Sequence, residues 1–148
     1  MEHRVLPTGY FFILLILIVG VHFTMPAARV IPPPYNWAGI ILILFGLVMN
    51  VWADNLFKKK MTTVRPYQEP TSLVTHGPFR LSRHPMYLGM AAILSGTSVV
   101  SRSLISLVFP VIFVVLMQKI FIPSEESVLE SIFGNKYIYY KKKVRRWI

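Results

Sequence analysis

The chain contains no cysteine, which removes disulfides, thiolate metal ligands and a cysteine nucleophile and leaves the redox compartment open. It is short of acid as well, with 6 Asp and Glu against 16 Lys and Arg. Charge of either sign is scarce, at 15% of the 148 residues, while hydrophobic residues make up 54%; this is far from an ordinary soluble composition and expected of a membrane protein. No G-x-G-x-x-G follows a strand, so no Rossmann dinucleotide site is expected. The formal charge of +10 does not indicate a nucleic-acid partner, because the basic residues fall between apolar runs and at the C-terminus. Bilayer orientation and contact with anionic lipid account for that placement.

What the sequence does have is a series of apolar runs near the roughly 17 to 25 residues that a helix needs to cross about 30 Å of hydrocarbon. The first covers residues 10–28, with Tyr10, Phe11 and Phe12 at an interfacial end. It continues too far for a signal peptide and reads as a retained helix. His22 suits a helix end at headgroup level. Pro32, Pro33 and Pro34 form a stiff connector. A second span follows over residues 35–53, where Asn50 and Asp54 share a face, either pointing into a polar site or marking the helix as it leaves the membrane.

Residues 56–84 are polar and basic, and Pro66, Pro70 and Pro78 exclude a long helix there. Pro85 suits the first turn of a third, shorter apolar helix to Val100, rich in small residues that would let a neighbour approach closely. Residues 104–122 form a fourth, with a kink expected at Pro110, and the two together read as a helical hairpin. From Pro123 to Ile148 the apolar residues recur every three or four positions between lysines and arginines, an amphipathic helical tail in two pieces jointed at Gly134.

The expected fold is therefore an all-α integral membrane protein in one domain. It comprises two N-terminal spans (1–55), a polar connection (56–84), a helical hairpin (85–122) and an amphipathic tail (123–148). With four spans, every Lys and Arg except Arg29 and Arg102 falls on one side, which the positive-inside rule makes the cytoplasm. The hairpin returns the chain to that side, so Glu125 and Glu126 would meet Arg83 and His84. Such a set of cations, carboxylates and aromatic rings at the mouth of an apolar bundle suits a polar cofactor meeting a lipid-like substrate; alternatively, Arg83 and a glutamate merely neutralise each other at the interface.

Several stretches carry a resemblance: Leu73-Val74-Thr75-His76-Gly77-Pro78-Phe79-Arg80, Ser82-Arg83-His84-Pro85-Met86-Tyr87-Leu88-Gly89, Glu125-Glu126 with Leu129, and Phe133-Gly134 with Tyr137, Tyr140, Val144 and Arg146-Trp147-Ile148. In order and spacing they resemble the isoprenylcysteine carboxyl methyltransferase family and the related phospholipid methyltransferases. The resemblance implies S-adenosylmethionine as methyl donor, held by the C-terminal region. It implies His76, Gly77, Arg83, His84, Pro85, Tyr87, Glu125, Glu126 and Tyr137 as cofactor-binding residues, Arg83 and Glu126 as catalytic ones, and no metal. The acceptor it implies is a lipophilic small molecule or a lipidated chain, bearing an isoprenylcysteine-type carboxylate, a phospholipid amine or a small thiol. Two other readings compete. One is an NADPH-dependent sterol-type reductase, which resembles the Arg-His-Pro-x-Tyr run but commonly has Asn and Glu where this chain has Met86 and Met90. The other is a non-catalytic scaffold whose basic tail binds anionic lipid.

Overall fold

A computed structural model describes residues 6–25, 29–60 and 71–148. Across them the chain is helical, with one isolated bridge between Arg29 and Ser103 and no strand among the described residues. The α-helices are α1 (Pro7–Thr24), α2 (Ala38–Lys59), α3 (Pro85–Val100), α4 (Val108–Leu116), α5 (Ile122–Phe133) and α6 (Asn135–Lys143), with a π turn over Met117–Phe121 joining α4 to α5. Arg4, Arg65, Pro66 and Pro70, used above for topology and helix breaking, lie outside the described residues.

The buried helix α3 is the centre of the bundle, with α2 as its principal partner and α1 and α4 also packed against it. Its small residues explain the first contact. Gly89 and Gly96 face Gly46 and Gly39 in antiparallel order, and a Cβ added to Gly89 would lie 2.8 Å from the Gly46 carbonyl oxygen. No side chain fits at that distance, so the two backbones meet directly along a glycine seam. On the other side of α3, Tyr87, Met90, Ala91 and Leu94 pack with Phe11, Leu14 and Ile18 of α1 and with Phe113, Met117, Phe121 and Ile122. The outer faces of α1 and α2 leave Ile16, Phe23, Ile41 and Val48 uncovered, as helices bounded by lipid would.

Among the described residues, three helical stretches are long and apolar enough to cross a membrane: Pro7–Thr24, Tyr35–Lys59 and Ile105–Phe133. The apolar helix Pro85–Val100 begins at the expected proline but, at 16 residues, is shorter than the other three.

The structure corrects three local expectations. The second helix continues to Lys59, so Asn50 and Asp54 stay helical. Asn50 Nδ2 donates to the Gly46 carbonyl at 2.8 Å, with its side chain against Gly89 of α3 and its Oδ1 buried without a partner, and Asp54 pairs with Lys58 one turn on. Pro110 does not mark the irregularity in the fourth segment. It lies in the first turn of α4, and the Ser106 carbonyl, four residues before it and so deprived of a helical N–H, accepts from Ser98 Oγ at 3.0 Å. The irregularity comes later. Helix continues through the π turn into α5, so Pro123 lies inside a helical stretch that reaches Phe133 and does not open a separate tail. The joint at Gly134 is as expected, with φ +49, a conformation that favours glycine.

At the end of the bundle away from Tyr87, Arg102 ties two loops together. Its carbonyl accepts from the N–H groups of Val30 and Ile31 at 2.9 and 3.1 Å, and its Nε donates to the Ile31 carbonyl at 2.7 Å. His22 Nδ1 lies 3.2 Å from the Ser101 carbonyl in the same region, so its ring joins α1 to this turn.

Candidate active site

One stripe of α5 carries Ile122, Glu126, Leu129 and Phe133. Ile122 belongs to the apolar cluster between α1, α3 and α4. Leu129 and Phe133 pack on a second cluster, formed by Ala53, Val74, Phe79, Tyr137 and Tyr140. Glu126 therefore sits at the layer between two apolar clusters and is 3% exposed. A carboxylate so buried is tolerated only if cations and hydrogen bonds surround it.

They do. Arg83 Nη2 lies 2.8 Å from Glu126 Oε1. Arg146 grips both carboxylate oxygens: Nε donates to Oε1 at 3.1 Å and to Oε2 at 3.2 Å, and Nη2 donates to Oε2 at 2.8 Å. A planar guanidinium with its donors in a fixed fork is the side chain suited to such a two-oxygen contact. The contact in turn favours the charged form of Arg146 and raises its pKa.

Backbone contacts hold these cations in place. Ser82 Oγ accepts from the His84 N–H at 3.1 Å and donates to the Arg146 carbonyl at 2.7 Å, while the Arg83 N–H donates to the Arg145 carbonyl at 3.0 Å. Arg83 Nη1 reaches the Lys141 carbonyl at 3.1 Å. The C-terminal tail is thus laid against the short segment that precedes α3. Pro85, buried at the start of that helix, fixes where the segment ends and the helix begins.

His84 completes the charge layer. Its Nδ1 lies 3.4 Å from Glu125 Oε2 and its Nε2 3.5 Å from Glu126 Oε1. Its ring stacks on Tyr87, with centroids 5.7 Å apart and planes 8° from parallel, and the Tyr87 hydroxyl bonds Glu125 Oε1. Burial opposes the charged imidazolium, but the neighbouring carboxylates of Glu125 and Glu126 together outweigh it and raise the His84 pKa above its ordinary value. Burial also raises the Tyr137 pKa, and the Glu126 charge adds to that, so Tyr137 is a neutral phenol. Among the described residues the buried Tyr137 hydroxyl and Arg83 Nε have no hydrogen-bond partner. Beside the cluster an open cleft of about 390 Å³ runs between Glu126, Ser127, Glu130, Lys141 and Arg146.

Of the residues expected at the site, Arg83, His84, Tyr87, Glu125 and Glu126 meet directly. Pro85 begins the helix beneath them, and Tyr137 lies in the adjoining cluster, within reach of the Glu126 and Arg83 charges. His76 and Gly77 are placed differently. His76 is exposed, and Gly77, at φ +62, faces Trp52 and Leu56 of α2, where an added Cβ would lie 2.7 Å from Leu56 Cδ1. Gly77 shapes the tight turn that seats Phe79 in the second cluster. Arg146 is the residue that sequence reasoning left out of the site. Its signal was present in the Arg146-Trp147-Ile148 ending, but nothing local links that ending to Glu126.

A helical bundle with apolar outer faces and a charged cluster where α3 and α5 meet the polar tail defines a membrane protein with a polar site at its surface. The chain belongs to the phospholipid methyltransferase family, whose pattern matches residues 35–136. It is similar to the probable protein-S-isoprenylcysteine O-methyltransferase of Oryza sativa subsp. indica, 32% identical over 114 residues, covering 74% of this chain and 58% of the relative. It is also similar to protein-S-isoprenylcysteine O-methyltransferase A of Arabidopsis thaliana, 35% identical over 111 residues, covering 72% of this chain and 55% of the relative. An uncharacterized protein of Haemophilus influenzae is 36% identical over 63 residues, covering 43% of this chain and 100% of the relative. The chain spans just over half the length of the two named methyltransferases. No solved structure matches it. The resemblance drawn from the Arg83–Tyr87, Glu125–Glu126 and Phe133–Tyr140 motifs is thus borne out at the level of the family.

Proposed function

We propose that the protein is an S-adenosylmethionine-dependent membrane methyltransferase acting on a lipophilic acceptor. The observation that carries this reading is the Arg83–Glu126–Arg146 cluster with His84 and Glu125, centred on the buried Glu126 and set between two apolar layers. The donor fits these residues chemically. Its amino-acid end is a zwitterion, and the site offers two guanidinium groups and two carboxylates. The unpartnered Tyr137 hydroxyl and Arg83 Nε are the buried polar atoms that gain most from a bound polar ligand. S-adenosylmethionine supplies an electrophilic methyl group on a sulfonium; the chain's own contribution is to bind, align and exclude water.

In that role Arg83 and Arg146 hold a carboxylate, Glu125 and Glu126 hold an ammonium or hydroxyls, and the His84–Tyr87 stack walls the site. The two carboxylates beside His84 favour its imidazolium form, which cannot accept a proton. An acceptor that is already ionised therefore suits the site better than an amine that must lose a proton. The names of the rice and Arabidopsis relatives support an isoprenylcysteine-type carboxylate as that acceptor. Both termini and the site would face the cytoplasm, where Lys136, Lys142, Lys143 and Arg145, all exposed, meet anionic headgroups.

Titration of the full chain in detergent with S-adenosylhomocysteine, and separately with NADPH, tests the reading. Saturable binding of the first and none of the second is expected, with Glu126→Gln weakening it about tenfold or more, as loss of a charge-assisted contact requires. Binding of NADPH alone would replace the reading with a reductase. An acceptor panel of prenylcysteine, phospholipid amine and small thiol then separates the substrates.

A further inference from the structure

Arg146 approaches Glu126 from beyond the end of α6, where the tail leaves helical geometry at Val144 with φ −122 and ψ 132. An extended terminal segment needs a fixed point beyond the arginine to hold the fork on the carboxylate. That fixed point is one residue further on. Trp147 Nε1 donates to Gln118 Oε1 at 2.8 Å, and its ring packs on the apolar cluster between α1, α3 and α4. Gln118 lies in the π turn Met117–Phe121. A π turn carries an extra residue per turn, and this one, which follows the wholly apolar α4, presents the Gln118 amide. Such turns recur at functional sites.

We propose that Trp147 is a positioning residue for the donor site: its indole N–H, held by Gln118 in the π turn, seats Arg146 on Glu126. This inference rests on the reading that the cluster binds the donor. The tail is then pinned on both sides of the arginine side chain, by Ser82 Oγ on the Arg146 carbonyl and by Gln118 on Trp147. The π turn has a role in the same terms, since it turns a polar side chain of the helix toward the C-terminal segment.

The test uses the full chain in detergent and four variants: Trp147→Phe, which keeps a ring in the apolar cluster but has no N–H; Gln118→Leu; Arg146→Gln; and Trp147→Phe combined with Arg146→Gln. Two readouts are taken. S-adenosylhomocysteine affinity reports the site, and trypsin cleavage after Arg145 and Arg146, followed by mass spectrometry, reports the tail without any donor. Trp147→Phe and Gln118→Leu should each weaken the affinity about threefold to tenfold, the scale of one hydrogen bond, and speed cleavage after Arg145. In the Arg146→Gln background, Trp147→Phe should weaken it no further, because the tryptophan acts through the arginine. A purely structural tryptophan would add its effect in either background, and that additivity overturns the proposal. Unchanged affinity and unchanged cleavage in Trp147→Phe overturn it too, leaving the donor reading intact. A parent chain that binds no S-adenosylhomocysteine overturns the donor reading and the positioning role with it.

Discussion

Two interfaces of α3 and its neighbours are held together in opposite ways. Along the α2–α3 seam the contact is backbone against backbone, made possible by four glycines and needing no charge. At the other interface, where the start of α3 meets α5 and the tail, an ionic and hydrogen-bonded layer centred on one carboxylate lies between apolar contacts. The seam lies among apolar spans, where dispersion and close approach are what is available. The charged layer lies between two apolar clusters, where a polar group left without a partner is costly. A seam of the first kind can only hold helices together, whereas a layer of the second kind also offers charge to a ligand.

The largest expected effect comes from breaking the charged layer at its centre. Glu126→Leu leaves Arg83, whose side chain is 8% exposed, without its carboxylate, and should cost about 3 to 5 kcal/mol in stability, read as a fall in melting temperature in detergent. Breaking the seam should cost less. Gly89→Ala places a Cβ 2.8 Å from the Gly46 carbonyl oxygen, and overpacking of that kind costs about 1 to 3 kcal/mol. Donor affinity should suffer less than stability in this variant, because the seam does not touch the charged cluster.

The next test sharpens the contrast through pH, to which only the ionic interface should respond. The His84 pKa is raised from its ordinary 6.5, so the folded state binds the proton more tightly than the unfolded chain. The resulting stabilisation is complete below the ordinary value and is lost as pH rises through the higher folded-state value. The melting temperature should therefore fall as pH is raised above neutrality, and His84→Gln should flatten that dependence. Gly89→Ala should shift the whole curve without changing its slope. The smallest effect is expected at the rim. Lys141 Nζ meets Glu130 Oε2 at 3.1 Å with both side chains well exposed, so Glu130→Gln should cost no more than about 0.2 to 1 kcal/mol, and less in high salt.

The sequence by itself determined the helical class, the start of α3 at Pro85, the joint at Gly134 and most of the charged cluster. Apolar runs, a proline at a first turn and a glycine at a joint act within a few residues of chain, so their consequences can be read locally. His84 and Tyr87, three apart at a helix start, and the adjacent Glu125 and Glu126 are likewise local sets, and a return of the chain suffices to bring them together. The end of α2 and the continuity of α4 into α5 were not legible, because polar side chains and Pro123 at those positions suggest an exit that the packing overrides.

Only the tertiary structure decided that α2 is the principal partner of α3, that Gly77 faces α2, and that Arg146 and Trp147 close on Glu126 and Gln118. Each of these depends on residues twenty or more positions apart in the chain meeting at hydrogen-bond or van der Waals distance. Such meetings are fixed by how the clusters fill space together, and no periodicity or spacing along the chain specifies them.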